Sequence, residues 1–177
     1  MTDAPGANTI SLEGASAAAP VHCFRREAMG TVFEIRIASE EAKYAQQAAT
    51  EALEEVGRLE TELSRFIESS DVSRINDGTH VEPIRVGIAA WECLKLAEEL
   101  HAETMGAFDV TILPALEVNH AIDTGEISED QREAKLAEVI SLTSMYLLDL
   151  NDQDYTVALM AEGVKIDLGG IGKGYAV

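Results

Sequence analysis

The longest regular pattern in this sequence is an apolar stripe between residues 40 and 67. Its members recur at steps of three and four, the spacing that places side chains on one face of an α-helix: Ala45, Ala49, Leu53, Val56, Leu59, Leu63 and Ile67. Ser39 precedes this run and is followed by Glu40 and Glu41, as at a helix N-cap. The pattern predicts one amphipathic helix of roughly residues 40–67 whose apolar face packs in the core.

Two further segments have helical patterns. Residues 88–103 carry apolar side chains at steps of three: Ile88, Trp91, Leu94, Ala97 and Leu100. Residues 128–141 begin with Ser128, a capping residue, followed by two acidic residues. Residues 69–78 are rich in Ser, Asp, Asn and Gly, so we expect a loop that includes one helical turn.

Alternating segments predict antiparallel strands. Residues 33–37 alternate apolar and charged side chains, and residues 22–27 are expected to pair with them through a turn at Met29-Gly30. Residues 145–150 and 155–160 predict a second hairpin.

The turn of this second hairpin is expected at Asn151-Asp152, and two shorter strands are expected at residues 84–86 and 164–167. The pattern has no strong βαβ rhythm. The predicted fold class is therefore α+β, an antiparallel sheet with helices packed on it.

Composition and charge exclude several kinds of partner. The 177 residues are 46% hydrophobic and 25% charged, as in a soluble globular protein. A net charge of −19 repels nucleic acids and anionic membranes, so we expect neither as a partner. An anionic ligand such as a dinucleotide then needs backbone N–H groups, a metal ion or a local lysine. Cys23 and Cys93 lack metal-site spacing and are expected to be buried or half-buried thiols.

The start of the chain differs in composition from the rest. Residues 1–20 are mostly small and polar and are predicted to form a flexible tail, with one domain over residues 21–177. They lack the basic and apolar regions of a secretory signal, which predicts a cytoplasmic location. A misassigned start codon would leave export open. No run of eighteen apolar residues predicts a membrane-spanning segment.

The glycine-rich end is the segment with the clearest chemical potential. Asp167 is expected to close a strand, and the glycines after it let backbone approach a ligand closely. A helix starting there would direct N–H groups at a phosphate, and Lys173 adds a positive charge. The spacing matches neither a Walker A loop nor the dinucleotide fingerprint G-x-G-x-x-G. By its residues alone, this segment is as consistent with a plain tight turn as with a phosphate site.

Other polar residues have less specific patterns. Asp109 can bind a ribose or adenine, or it can cap a turn, which is the commoner role. The four histidines show no metal-ligand spacing and are expected to have surface or core roles: His22, His80, His101 and His120. No arrangement of Ser, His and Asp or of Cys and His for nucleophilic catalysis is recognisable.

Four segments, taken in order, resemble the motifs of one family. Residues 29–35 (MGTVFEI) resemble its MGT strand motif, and residues 63–76 (LSRFIESSDVSRIN) resemble its L-S-x-Y/F stretch and the Ser-to-Asn loop after it. Residues 106–114 (GAFDVTILP) and 164–177 (VKIDLGGIGKGYAV) resemble its G-x-F/M-D and DLGG-x-x-KGYAVD motifs. Val110 stands where Pro or Ile is usual. The family is the FAD:protein FMN transferases, called ApbE proteins.

This resemblance implies a fold and an activity. It implies part of an ApbE-like, T-fold-like domain that uses FAD as substrate and Mg²⁺ as cofactor. The expected reaction links FMN through its phosphate to a Thr or Ser hydroxyl of a target protein and releases AMP, a phosphoryl-type transfer. The alternatives are an FAD-binding protein without transfer activity, an FAD pyrophosphatase and an interaction protein that keeps only the scaffold.

The resemblance also assigns residues. Met29 and Phe66 are expected at the flavin or adenine pocket, Phe66 as a stacking ring. The resemblance places Ala107, Phe108 and Asp109 at the adenosine end. It places Asp167 and Lys173 in contact with FAD. Gly170 is expected to offer its carbonyl oxygen to Mg²⁺.

Family chains continue well past the KGYAVD motif. We therefore expect this sequence to be an N-terminal half, with the other metal ligands and the catalytic residues outside it. One carbonyl oxygen does not hold Mg²⁺, so these residues alone are not expected to catalyse transfer.

Overall fold

A long hairpin begins the part of the chain that the structure describes. The structure is a computed structural model covering residues 19–78 and 82–177, and the predicted tail lies outside these ranges as far as residue 18. Strands β1 (Val21–Ala28) and β2 (Thr31–Ala38) pair antiparallel along their full length. Met29 and Gly30 have φ angles of 51° and 69°, and a two-residue type I′ turn needs positive φ at both positions. The predicted hairpin is confirmed.

Helix α1 (Ala42–Leu63) packs against this hairpin and is shorter than predicted. Its N-cap is Glu41, and Ser39 instead accepts a hydrogen bond from the Glu41 N–H at 3.0 Å, so the predicted Ser39 cap is wrong. The helix ends because Ser64 takes an extended conformation, which leaves Ile67 outside it. The other members of the stripe are buried, as the pattern predicts.

The next two helices differ in how well the sequence predicts them. Residues 69–78 are not a loop with one turn, because helix α2 (Asp71–Asp77) occupies most of this stretch. Ser70 caps it by accepting a hydrogen bond from the Ser73 N–H. Helix α3 (Ile88–Glu103) has the predicted bounds.

Three short strands form a second antiparallel sheet. Their order is β3 (Ile84–Arg85), β5 (Thr156–Leu159) and β4 (Leu148–Asn151), with β5 in the centre. The hairpin β4–β5 is shorter than predicted because Met145–Leu147 form a 3-10 turn. Among the described residues the fold is α+β with antiparallel strands, as expected, but the strands lie in two sheets rather than one.

The predicted strand at residues 164–167 is wrong. This segment is not part of a ladder, because the Asn76 side chain takes the place of a neighbouring strand. Asn76 Oδ1 accepts from the Ile166 N–H at 2.7 Å, and Asn76 Nδ2 donates to the Ile166 carbonyl at 2.9 Å. Asp167 therefore ends an extended segment held by a side chain from α2.

Three helices complete the described chain. Helix α4 (Leu113–Asp123), which the sequence analysis does not predict, starts with Pro114 in its first turn, where a missing N–H costs little. Helix α5 (Arg132–Val139) lies inside predicted residues 128–141, with 3-10 turns on either side and Ser128 in a capping box. Helix α6 (Gly172–Tyr175) is a single turn. No helix in the described ranges combines the length and apolar character needed to cross a bilayer.

The core lies between the C-terminal part of α1, helix α3, the second sheet and the segment 164–171. Cys93 is buried in it, and burial raises the pKa of its thiol to about 11. Cys23 is exposed on β1, so the expectation of two buried or half-buried thiols holds for Cys93 alone.

Candidate functional site

The glycine-rich segment after Asp167 runs between two clefts on the protein surface. The Leu168 carbonyl accepts hydrogen bonds from the N–H groups of Ile171 and Gly172, which turns the chain into α6. A side chain at Gly170 would approach the Phe108 ring at 3.3 Å, so glycine allows the ring to pack on the backbone. Helix α6 is one turn long, and the N–H groups of Ile171 and Gly172 already have an acceptor, so these two N–H groups are not directed at a phosphate.

The first cleft lies on the side of the hairpin and α1. Its volume is about 260 Å³, and its walls include Met29, Arg65, Phe66, Asp167 and Lys173. Two of the four residues predicted there come from the N-terminal half of the chain and two from its end. The tertiary fold therefore brings Met29, Phe66, Asp167 and Lys173 around one opening.

The second cleft lies on the side of α3 and α4. Its volume is about 860 Å³, and the predicted residues on its walls are Ala107, Phe108, Asp109, Asp167, Gly170 and Lys173. Asp167, Gly169 and Lys173 line both clefts. All eight residues assigned from the motifs thus line two clefts that meet at the glycine-rich segment.

Met29 is held in the turn of the hairpin. Its backbone N–H donates to Glu60 Oε1 at 2.6 Å, which ties the turn to helix α1. The Met29 side chain is half-buried against the core. This contact positions Met29 at the rim of the first cleft.

Phe66 and Asp167 both contact Arg65, a residue that no sequence pattern singles out. Phe66 is 80% exposed, and the Arg65 guanidinium carbon lies 4.1 Å from its ring centroid. Arg65 Nε also lies 2.8 Å from Asp167 Oδ2, while Asp167 Oδ1 accepts the Gly169 N–H at 2.6 Å. Both oxygens of Asp167 therefore have partners within the protein.

Asp109 has the geometry of a cap rather than of an open ligand group. Its side chain is 7% exposed. Oδ1 accepts from the N–H and hydroxyl of Thr111, and Oδ2 accepts from the Met145 N–H at 3.0 Å. His101 Nδ1 lies 3.1 Å from Oδ2 and 3.1 Å from the Phe108 carbonyl oxygen. Asp109 thus fixes the loop that presents Ala107 and Phe108 to the second cleft.

Lys173 is the cation shared by the two clefts. Its Nζ donates to the Gly169 carbonyl at 3.1 Å from an exposed side chain. A lysine ammonium has three donors, so this contact leaves it able to contact an anionic group. Lys173 and Arg65 are the Lys and Arg side chains on the walls of the two clefts.

A metal site is not formed by the described residues. In residues 19–78 and 82–177, no group of three or more His, Cys, Asp or Glu side chains is arranged to hold an ion. Gly170 can offer a carbonyl oxygen, but Mg²⁺ requires about six oxygen ligands. The residues present therefore do not fit Mg²⁺ on their own.

Sequence reasoning missed Arg65, Asn76 and His101 as parts of this site. Arg65 and Asn76 lie inside the segment LSRFIESSDVSRIN, so their position within that motif was the sequence feature that could have indicated them. No sequence pattern indicated His101, since its contact with Asp109 depends on the turn at the end of α3.

Comparisons with known proteins identify relatives of this chain. The sequence profile of the ApbE family matches residues 29–177. The structure is similar to an ApbE protein of Thermotoga maritima, with a TM-score of 0.74 and 29% identity over 89% of this chain and 50% of that one. The flavin transferase ApbE of Vibrio cholerae gives a TM-score of 0.74 and 25% identity over 89% of this chain and 52% of that one.

A third solved structure shares the fold. It is the flavinyl transferase ApbE of Pseudomonas stutzeri in its apo form, with a TM-score of 0.72 and 23% identity over 93% of this chain and 50% of that one. The chain thus spans about half the length of the solved proteins it matches. A search of curated proteins gives no match.

Proposed function

The chain belongs to the ApbE family, and on that premise we propose that it binds FAD and serves in the transfer of FMN from FAD to a Thr or Ser hydroxyl of a target protein. The observation that carries the proposal is the convergence of all eight motif-assigned residues on two clefts joined at Asp167 and Lys173. A dinucleotide has two ring systems joined by a pyrophosphate. Two clefts that meet at a glycine-rich, lysine-bearing segment match that shape.

The clefts suggest how FAD lies in the site. The exposed ring of Phe66 offers a stacking surface for the flavin in the first cleft, beside Met29. The adenosine occupies the second cleft against Ala107 and Phe108. The pyrophosphate then crosses the segment that both clefts share, where Lys173 supplies a positive charge against the overall charge of −19.

The proposed reaction replaces the phosphoanhydride bond of FAD by a phosphoester bond to the target protein. The target hydroxyl oxygen attacks the phosphorus on the FMN side of the pyrophosphate and forms a new P–O bond. The bond to the AMP oxygen breaks, AMP leaves with the electron pair, and the hydroxyl proton passes to a base. Lys173 can stabilise negative charge on the phosphate oxygens, and the described residues identify no catalytic base.

Membership of the family also leads us to expect Mg²⁺ as a cofactor. When bound, it would neutralise charge on the phosphates. The donor set on these residues does not hold it, so no step of the proposal is assigned to it.

An FAD titration tests the binding part of the proposal. We expect FAD to bind the chain, measured by calorimetry or by flavin fluorescence, and Phe66→Leu to weaken binding about tenfold through lost stacking. Tyr44→Leu is the matched control, since Tyr44 is also exposed but lines neither cleft. Equal affinities in wild type and Phe66→Leu would reject the stacking role of Phe66.

A labelling experiment tests the transfer part. A full-length version of the protein is mixed with FAD, Mg²⁺ and an acceptor protein that a working flavin transferase labels. We expect the acceptor to fluoresce on a denaturing gel, with one AMP released for each label. FMN and AMP without a label would identify an FAD pyrophosphatase instead. Binding with neither product would identify a flavin-binding protein without transfer activity.

A further inference from the structure

Arg65 occupies a position that the proposed function does not yet explain. It lies in the short connection between α1 and α2, and its guanidinium reaches two of the four predicted ligand-binding residues of the first cleft. Nε lies 2.8 Å from Asp167 Oδ2, and the guanidinium carbon lies 4.1 Å from the centroid of the Phe66 ring. One side chain therefore connects residues that are about a hundred positions apart in the sequence.

The backbone around Arg65 is fixed by the start of α2. The Ser70 hydroxyl donates to the Ser64 carbonyl at 2.6 Å, and the Ser73 hydroxyl donates to the Arg65 carbonyl at 3.1 Å. The Phe66 N–H donates to the Ser64 hydroxyl at 3.2 Å. The Arg65 side chain therefore extends from a backbone that hydrogen bonds hold in place. This limits the region that its guanidinium can occupy.

Phe66 depends on this guanidinium for its orientation. Its side chain is 80% exposed, so core packing does little to restrict its rotamers. A planar guanidinium stacks on the face of an aromatic ring, which a lysine ammonium does less well. With Arg65 on one face, the ring is held with its other face available to a ligand.

The charge balance of the first cleft also depends on Arg65. The charged side chains on its walls are Glu60, Arg65, Asp167 and Lys173, two acidic and two basic. Asp167 directs one oxygen at Arg65 and the other at the Gly169 N–H. Loss of Arg65 would leave the acidic side chains in excess in a chain that already carries a net charge of −19. An anionic ligand would then be repelled.

We propose that Arg65 is a positioning residue of the flavin cleft, which holds the Phe66 ring and the Asp167 carboxylate in the arrangement that receives the flavin half of FAD. The inference rests on the proposed function, since it concerns the same ligand. It adds that the stacking ring and the glycine-rich segment act as one unit through this guanidinium.

Substitutions of Arg65 test this role by FAD titration. We expect Arg65→Met to weaken FAD binding about tenfold. Arg65→Lys is expected to lose about threefold, because it keeps the charge but not the planar stacking surface. Arg36→Met is the charge-matched control, since Arg36 is exposed on β2 and pairs with Glu34 away from both clefts. Binding by Arg65→Met that equals that of the control would overturn the inference.

A double-mutant comparison separates positioning from independent contacts. If Arg65 positions the Phe66 ring, Arg65→Lys, which keeps the charge, adds little to the loss caused by Phe66→Leu. The variant with both substitutions then binds FAD about as weakly as Phe66→Leu alone. Full additivity of the two losses would overturn the positioning role.

A ligand-free measurement separates this inference from the proposed function. The NMR signal of the Arg65 Nε–H is expected to shift in both Asp167→Asn and Phe66→Leu without FAD, because both partners touch the guanidinium. A signal that neither substitution moves would overturn the inference. Failure of the wild type to bind FAD would instead reject the proposed function, while the ligand-free arrangement would still be tested.

Discussion

At the scale of single residues, the two carboxylates of the site have partners within the protein. Asp109 and Asp167 are both assigned to the ligand by resemblance, yet each has both oxygens in contact with protein donors. Their first effect is to hold loops. The side chains in a position to contact a ligand directly are those of Phe66, Lys173 and the other residues that line the two clefts.

Asp109→Ala is expected to lower the free energy of unfolding by about 2 kcal/mol or more, because it leaves buried donors of Thr111 and Met145 without an acceptor. Urea denaturation measures this change. FAD binding should weaken as well, because Ala107 and Phe108 lie on the same loop. Asp152→Ala is the control, since Asp152 is 74% exposed and 3.8 Å from Lys95, and it should change stability by less than about 0.5 kcal/mol. A similar stability for both variants would contradict the cap role.

At the scale of elements, a side chain can take the place of a backbone hydrogen-bond partner and so hold a segment that is not part of a sheet. Asn76 from α2 satisfies both polar backbone groups of Ile166, as a strand neighbour would. That pair sets the position of Asp167, and hence of the glycine-rich segment between the clefts. Helix α6 is fixed at its end in a similar way, since the Tyr175 hydroxyl donates to a carboxylate oxygen of Glu92 on α3.

Asn76→Asp should destabilise the protein by about 1–3 kcal/mol, because the carboxylate still accepts from the Ile166 N–H but leaves the Ile166 carbonyl without its donor. Asn76→Ala removes both bonds and should cost more. Denaturant unfolding gives the two values, and amide exchange at Ile166 shows where the effect lies. Protection of the Ile166 amide that is unchanged in Asn76→Ala would refute the account.

Tyr175 provides a pH-dependent prediction. Its hydrogen bond to Glu92, followed by burial, raises the pKa of Tyr175 from 10.0 to about 12. Because the native pKa lies above the unfolded one, this contact stabilises the fold below about pH 10. The contribution is lost as the pH rises through about 12.

The stability difference between wild type and Tyr175→Phe should therefore be present at pH 8 and shrink above pH 10. Absorbance of tyrosinate at 295 nm should show a step near pH 12 that Tyr175→Phe removes and Tyr44→Phe leaves in place. A step near pH 12 that persists in Tyr175→Phe would disprove the assignment.

At the scale of the whole molecule, one core joins parts of the chain that are far apart in sequence. The C-terminal part of α1, helix α3, the second sheet and the segment 164–171 share it. The hairpin β1–β2 packs on α1 as a separate sheet. The two clefts lie where these parts meet, so the site depends on the whole arrangement rather than on any one motif.

The two thiols report on that core. At pH 8, one thiol per chain should react quickly with a thiol reagent such as DTNB, because Cys23 is exposed. Cys93 is buried and its pKa is raised to about 11, so it should react only when the core opens. Cys23→Ser should abolish the fast phase, and denaturant should release the second thiol. Two fast equivalents in the native protein would show that the core around Cys93 is open.

Features that depend on local pattern can be predicted from the amino-acid sequence. Periodic apolar residues set helices α1 and α3, the Met29-Gly30 pair set the hairpin turn, and four ordered motifs set the family. It also named eight residues that the fold gathers at two joined clefts. Each of these signals is carried by neighbours in the chain or by a motif of fixed spacing.

The hydrogen-bond partner of each polar group depends instead on how the whole chain folds. Residues 164–167 have the composition of a strand, but Asn76 occupies the position that a neighbouring strand would need. Asp109 can bind a ligand or cap a turn, and the donors of Thr111 and Met145 select the cap. Arg65 enters the site because Asp167 comes to lie beside it. Hydrogen bonds and ion pairs join atoms within about 3 Å of each other, and for residues tens of positions apart that distance is set by packing of the whole chain.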